Sequence, residues 1–324
     1  MTESAAVQIF ICAVAAVYVL VACALARALL RRGGLMSAPS RRVLRAERAV
    51  LALAGAGVLC FAYGYFVEPY WPQVTRTRVT SARLAGATRP VRVVHISDLH
   101  CDPAPRLEDR LPDIIAAERP DLIVFTGDSL NSPAGLPVLK PLLTRLARIA
   151  PTFAVRGNWD VWYWGRQDLF GGTGVRELNG EAVRVEVKAA GTSVWVAGAA
   201  YGELDAPLHG PGGKVGKALG DVPEGAPVVF LYHTPDEILD IAATNRVDLY
   251  CAGHTHGGQV ALPLYGALVT FSKFGKRYES GLYREGRTSL YVNRGLGMEG
   301  GPAPRVRFWA RPEISVIEIE SGEQ

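Results

Sequence analysis

Val91-Arg-Val-Val-His-Ile-Ser-Asp-Leu-His100 reads as a buried strand that ends in chemistry. Val91 to Ile96 is β-branched and apolar, the composition of a strand inside a sheet. Asp98 and His100 follow just past its end. Alternate residues of an extended chain point the same way. The spacing therefore predicts a carboxylate and an imidazole facing one point, a natural clamp for a metal ion. His95 falls on the other face and is expected to pack or hydrogen-bond. Downstream, residues 107–117 have helical spacing, 121–126 form a short apolar strand, 136–147 are helical, and 152–155 are the next strand. That alternation predicts an α/β layout with parallel pairing. The second half reads as strands at 183–187, 193–197, 228–232, 248–252, 281–283, 289–292 and 314–319, often with hairpin spacing. A helix at 236–243 interrupts them. The Gly- and Pro-rich stretch 202–227 reads as a long irregular loop, with His209 solvated inside it.

Upstream of Val91 the character changes. Of 324 residues 49% are hydrophobic, and the excess sits in the first seventy. Residues 5–26 and 49–67 carry no charge, and each run is long enough for a bilayer span of about 20 residues. Between them lie Arg27, Arg31, Arg32, Arg41, Arg42, Arg45 and Arg48, read as a basic loop. Residues 1–67 are therefore expected to form a two-helix transmembrane anchor in the cell membrane, with 68–90 a connector and 91–324 the globular domain. Arginine-rich loops stay cytoplasmic, which predicts a multi-pass protein whose globular domain is extracytoplasmic. Tyr63, Tyr65, Tyr70 and Trp71 read as an interfacial aromatic belt. The net charge is only +4, and much of the positive charge is that arginine cluster, so no nucleic-acid-binding surface is indicated. There is no CxxC pair; Cys101 and Cys251 are expected as two small, partly buried thiols.

Five short motifs follow apolar runs in order: Asp98-Leu-His100, Thr126-Gly-Asp128, Arg156-Gly-Asn-Trp-Asp160, Tyr232-His233 and Gly253-His-Thr-His-Gly-Gly-Gln259. Each delivers Asp, Asn or His where open α/β sheets bind ligands. Four of the six histidines fall inside them. In combination these motifs resemble the calcineurin-like metallophosphoesterases, over about residues 91–320. The tail, Tyr278 to Tyr283, Leu290 to Gly297 and Arg305 to Ile314, resembles the membrane-anchored bacterial branch of that family. That branch contains phosphodiesterases and a UDP-2,3-diacylglucosamine pyrophosphatase. The resemblance implies a four-layer α/β/β/α sandwich preceded by the helical hairpin.

The resemblance also implies a dinuclear site. Asp98, His100 and His256 would hold one divalent ion, Asn158, His233 and His254 the other, and Asp128 would bridge them. Two cations about 3.5–4 Å apart need a shared anion, and mixed imidazole–carboxylate ligation suits Mn²⁺ first, with Fe or Zn²⁺ as alternatives. A bridging hydroxide would attack phosphorus in a phosphodiester or pyrophosphate. Asp128, Asn158, Asp160 and His254 form the candidate catalytic group, with Asp160 orienting a neighbour. Two positions depart from the family. Asn131 stands where many members have a second Asp, a supporting position. Trp159 stands where a histidine is usual, and an indole cannot act as an acid. That favours substrates with good leaving groups, such as pyrophosphates, or another acid entirely. Trp159 and Trp162, with Tyr163 and Trp164, read as a platform for lipid, sugar or base. Lys273 and Arg277 read as cations for an anionic phosphate, with Lys276 beside them. The expected partners are the bilayer and a phosphorylated lipid-linked or nucleotide-type small molecule such as UDP-2,3-diacylglucosamine. The alternative expectation is a non-catalytic metal-binding scaffold of the same fold.

Overall fold

The computed structural model describes residues 3–202, 214–299 and 305–322; His209 lies outside them. The chain divides into two compact units, Met1–Val67 and Glu68–Gln324.

The first unit is a pair of helices, α1 (Glu3–Arg32) and α2 (Arg41–Phe66). Both are long and apolar enough to cross a membrane. Ser40 caps α2 by accepting from the Val43 N–H. The arginines expected in a loop belong instead to the helix ends, because each helix runs past its apolar segment. Glu47, absent from the sequence reading, is buried between the two helices. It accepts from Arg27 Nε at 2.7 Å and from both Arg31 terminal nitrogens at 3.0 and 2.8 Å. A carboxylate so buried requires such partners, and the cluster ties the two helices together.

The second unit runs β1 (Gln73–Ser81), β2 (Val91–Ile96), α3 (Leu111–Ala117), β3 (Leu122–Phe125), α4 (Leu136–Ile149), β4 (Thr152–Ala154), α5 (Asn158–Trp162), β5 (Arg176–Glu177), β6 (Glu181–Val187), β7 (Thr192–Gly198), α6 (Lys214–Leu219), β8 (Val228–Leu231), α7 (Ile238–Ala243), β9 (Leu249–Ala252), β10 (Ala261–Leu262), β11 (Gly266–Ala267), β12 (Gly281–Glu285), β13 (Thr288–Val292) and β14 (Glu313–Ser321). One six-stranded sheet has the order β1-β14-β2-β3-β4-β5, the other β12-β13-β9-β8-β7-β6. Val93, Val124, Val196, Leu231, Leu249 and Ile317 pack between the sheets. Ile96, Phe125, Leu139 and Leu143 join the first sheet to α3 and α4. Phe230, Tyr250, Val215 and Ile241 join the second sheet to α6 and α7. The result is four layers, α/β/β/α. Strands covered on both faces must be apolar throughout, as 122–125, 228–231 and 249–252 are.

Three expectations change. Residues 68–90 are part of the folded unit rather than a connector, because β1 pairs in parallel with β14 along its whole length, Gln73 opposite Glu313 to Ser81 opposite Ser321. The second sheet has hairpins only at its edges, β6–β7 and β12–β13. Its centre, β7-β8-β9-β13, is parallel, with a helix in the crossover from β7 to β8 and another, α7, in that from β8 to β9. One of these is α6, within the stretch read as irregular. Val215, Ala218 and Leu219 have i, i+3, i+4 spacing and are buried, a helical signal hidden among glycines.

Candidate metal centre

The parallel strands β2, β3, β4, β8 and β9 release their loops at one edge, and all five motifs meet there. The first two motifs continue to pair after their strands end: Asp98 N–H donates to Gly127 O at 2.9 Å, and His100 N–H to Asp128 O at 3.0 Å. Gly253 N–H then joins the fifth motif to the fourth through His233 O at 2.8 Å. Asp98 and His100 are not brought together by strand alternation. Strand β2 ends at Ile96, and both residues have left-handed backbone, φ 49° and 40°. Asp128, His254 and His256 share that conformation, at 57°, 71° and 53°. Each costs roughly 1–2 kcal/mol for an L-residue, and such strain collects at functional sites. A Cβ on Gly157 would overlap the Asp128 carboxylate, and one on Gly253 would overlap Ser97 and Asp98. Glycine at these two positions lets the loops close on one another.

All seven candidate ligands come together. Asp98 Oδ1 lies 3.4 Å from His256 Nε2 and 3.9 Å from His233 Nε2. Asp128 Oδ2 lies 3.3 Å from His233 Nε2 and 3.6 Å from His100 Nε2. Asn158 Oδ1 meets His254 Nδ1 at 3.0 Å. Asp98–His100–His256 and Asp98–Asp128–His233 each place donor atoms within 4.8 Å of one another. Among the described residues, His233 Nε2 and both His100 ring nitrogens are buried without a hydrogen-bond partner. Buried polar atoms left this way call for a ligand, and lone pairs converging beside two carboxylates suit divalent cations. The far sides of the His233 and His254 rings are held. The His233 Nδ1–H reaches Thr126 O at 2.6 Å, which leaves Nε2 as the lone pair. Nε2 of His254 faces Phe271 O at 3.4 Å.

Asp160 is fully buried. It accepts from the backbone N–H groups of Asp128 (2.9 Å), Ser129 (2.8 Å) and Gly157 (3.0 Å). It thus clamps the second motif to the third. Asn131, in its supporting position, donates to His100 O at 3.0 Å and Met298 O at 3.2 Å. Arg307 lies in the tail stretch Arg305 to Ile314, but nothing in its sequence context assigns it to the centre. Its guanidinium is completely buried, and Nη2 lies 3.3 Å from His256 Nδ1. His95 is buried between the sheets with Nε2 2.8 Å from Thr126 Oγ1, and burial pushes its pKa down to about 3. It is a neutral core residue. Cys101 and Cys251 are buried free thiols.

The proposed substrate side chains spread further. The Trp159 ring stands edge-on to His100, centroids 5.2 Å apart, while its backbone N–H donates to Asp128 Oδ1 at 2.9 Å. Its indole also hydrogen-bonds Glu299, whose carboxyl burial raises above the usual range. Trp162 is 59% exposed and reaches the site through intervening rings, Tyr201, which stands edge-on to both Trp162 and His233, and Tyr163, which packs on Trp159. Trp164 turns inward, its indole donating to Leu130 O at 2.9 Å. Lys273 lies 3.5 Å from Glu237, and Arg277 donates to Glu285 at 2.6 Å. Both cations therefore have carboxylate partners outside the set of seven.

Burial lifts the Asp98 carboxyl to about 7; His233 opposes the rise and Asp128 adds to it. Asp160 rises to about 6 through burial and then the charge of Asp128. Burial holds His100 and His254 down at about 4. His233 moves the other way: burial opposes its charge, but Asp128 and then Asp98 outweigh burial and raise it to about 9. A histidine must be neutral to bind a cation. Metal loading at pH 7.5 is therefore expected to expel the His233 proton, and affinity should climb with pH by about tenfold per unit between roughly 7, above which Asp98 is ionised, and roughly 9. Calorimetry in two buffers of different ionisation enthalpy counts the released proton. Binding without release would contradict this reading of His233.

Residues 91–258 match the calcineurin-like phosphoesterase family. The metallophosphoesterase YkuE of Bacillus subtilis is 32% identical, over 87% of this chain and 97% of its own length. The phosphodiesterase YaeI of Escherichia coli is also 32% identical, over 86% of this chain and 98% of its own. The UDP-2,3-diacylglucosamine pyrophosphatase LpxG of Chlamydia trachomatis is 26% identical, over 82% and 94%. With the motif order, the two-sheet architecture and this convergence of donors, the chain belongs to the calcineurin-like phosphoesterase family and is a phosphoester hydrolase.

Proposed function

We propose that the protein hydrolyses a phosphodiester or pyrophosphate bond in a lipid-linked or membrane-proximal substrate, at a site holding two divalent cations. The observation that carries this is the meeting of four imidazoles, one amide and two carboxylates, all buried but His254, around partnerless ring nitrogens. We assign Asp98, His100 and His256 to one cation, Asn158, His233 and His254 to the other, and Asp128 to both, with Mn²⁺ ahead of Fe or Zn²⁺. Bound there, the pair supplies Lewis acidity and a water acidified toward neutrality. The chain's own part is positional. Thr126 fixes the His233 tautomer, Asp160 holds the backbone of Asp128, and the Trp159 N–H and Asp128 carboxylate lock each other.

The substrate class follows from Trp159. An indole N–H can hydrogen-bond a phosphoryl oxygen but has no proton to transfer, so leaving groups that depart as stable anions are favoured. The phosphodiesterase and pyrophosphatase names of YaeI and LpxG agree with this. Lys273 and Arg277 are the cations we assign to the phosphate, each exchanging its carboxylate partner, and Trp159 and Trp162 the rings we assign to the apolar or base portion. The test uses the full-length Mn²⁺-loaded protein with aryl phosphodiesters of graded leaving-group acidity. Wild type should slow steeply as the leaving group becomes more basic. Trp159→His should recover about 10²-fold on the poorest substrates. A flat dependence in wild type would overturn the argument.

We place the arginine-bearing end of the helix pair in the cytoplasm and the globular unit outside. Basic turns are retained inside, and Arg32, Arg41, Arg42, Arg45 and Arg48 are all exposed. Alkaline phosphatase fused at the C-terminus should be active. An inactive fusion, with a cytoplasmic reporter active at the same position, would reverse the orientation and make a UDP-linked lipid the better substrate.

A further inference from the structure

One side of the globular unit carries large rings that find no partner in the core. Tyr70, Trp71 and Trp309 are 49%, 53% and 63% exposed. They come from segments about 240 positions apart, yet they are held together by good geometry. Glu68, 1% exposed, accepts from Trp309 N–H at 3.0 Å and also from Ala310 N–H. Arg311 donates to Trp71 O at 3.0 Å, and its guanidinium stands 3.9 Å from the centre of the Trp71 ring. The carboxylate is thus buried and used, while the surface shows rings and a cation. Exposed tryptophans in water need a reason. Tryptophan and tyrosine with arginine are the composition of a membrane–water boundary, where apolar rings sit at headgroup depth and cations meet lipid phosphate.

Chain length supports the same occupant. Tyr70 and Trp71 follow Phe66, the last residue of α2, by four and five positions. Five residues reach at most about 18 Å. If α2 crosses a bilayer, these rings cannot stray far from its surface, and Glu68 ties Trp309 to them.

We propose that Tyr70, Trp71, Trp309 and Arg311 form a lipid-headgroup-binding face of the globular unit, a membrane contact additional to the two helices. This rests on the reading of α1 and α2 as membrane spans. The face connects to the metal centre through three consecutive residues. Phe308, next to Trp309, donates its N–H to Gln259 O at 3.0 Å and accepts from Ala261, and Arg307 backs His256. Seating the rings among headgroups would hold the wall behind His256 close to the lipid surface, where an amphipathic phosphoester resides.

The test uses the full-length protein in nanodiscs of phosphatidylcholine and phosphatidylglycerol. Tryptophan emission is quenched by a spin label near the lipid headgroup or by aqueous acrylamide, in wild type and Trp309→Phe. Trp309 is exposed, so the variant should fold, and circular dichroism verifies this. The emission assigned to Trp309 by difference should be lost with the lipid-borne label and protected from acrylamide. Trp309 emission untouched by the label and open to acrylamide, in protein that resists alkaline carbonate extraction, overturns the face while the anchor stands. Release of the protein by carbonate overturns the anchor and the face with it.

Discussion

Asp128→Asn should abolish hydrolysis, with a loss of at least about 10³-fold, the several kcal/mol of charge stabilisation that a two-metal site supplies. The substitution is nearly isosteric. The amide oxygen can still accept the Trp159 N–H that Asp128 Oδ1 now takes at 2.9 Å, and the backbone N–H held by Asp160 is untouched. What disappears is the negative charge that faces His233 at 3.3 Å and His100 at 3.6 Å. Without it, two cations placed side by side repel with little between them. The expected outcome is a folded protein, by circular dichroism, that binds fewer than two Mn²⁺ ions and turns over no substrate. A variant retaining full activity would remove Asp128 from the centre of the mechanism.

Arg307→Met should destabilise the globular unit by about 2–4 kcal/mol and weaken metal binding by about 10–100-fold. Two effects compete. Burial disfavours the charge, holding the guanidinium pKa down at about 9, so removing the charge relieves a desolvation penalty. Against this, Arg307 satisfies Gly297 O at 2.8 and 2.6 Å, Ala310 O at 2.8 Å and Arg294 O at 2.9 Å. Methionine fills much of the space but donates nothing. Three carbonyls then lose their donor, each at about 1–3 kcal/mol when buried, and their sum outweighs the relief. Metal binding weakens because His256 loses the group behind its ring. Denaturant titration and Mn²⁺ calorimetry read the two effects. Unchanged values in both would mean that Arg307 neither holds the backbone at Arg294, Gly297 and Ala310 nor supports His256.

The pattern of strands and helices could be read along the chain because burial imposes it locally. A strand inside two layers must be apolar at every position, and 122–125 is; a helix against a sheet shows a 3.6-residue stripe, and 136–147 does. The chemical identity of the centre was equally local, since Asp, His and Asn recur directly after those strands. Pairing was not. Nothing within 73–81 announces β14 as its neighbour, because a strand of mixed residues states its propensity but not its partner. The same limit made 68–90 look like a connector, and it turned the parallel centre of the second sheet into a series of hairpins. Within 202–227 the glycines masked the three apolar residues that build α6.

What the linear order of residues settled, then, was the family and the layered α/β architecture, and it singled out the seven side chains to which we assign the chemistry, since each depends on residue type at short spacing. Only the folded chain decided how they meet. The left-handed turns at Asp98, His100, Asp128, His254 and His256 exist because neighbouring loops hold them there, against their own preference. The Asp160 clamp, the Arg307 support and the ring face closed by Glu68 join residues tens to hundreds of positions apart. Contacts over such separations are selected by the energy of the whole packed unit, which no short stretch contains.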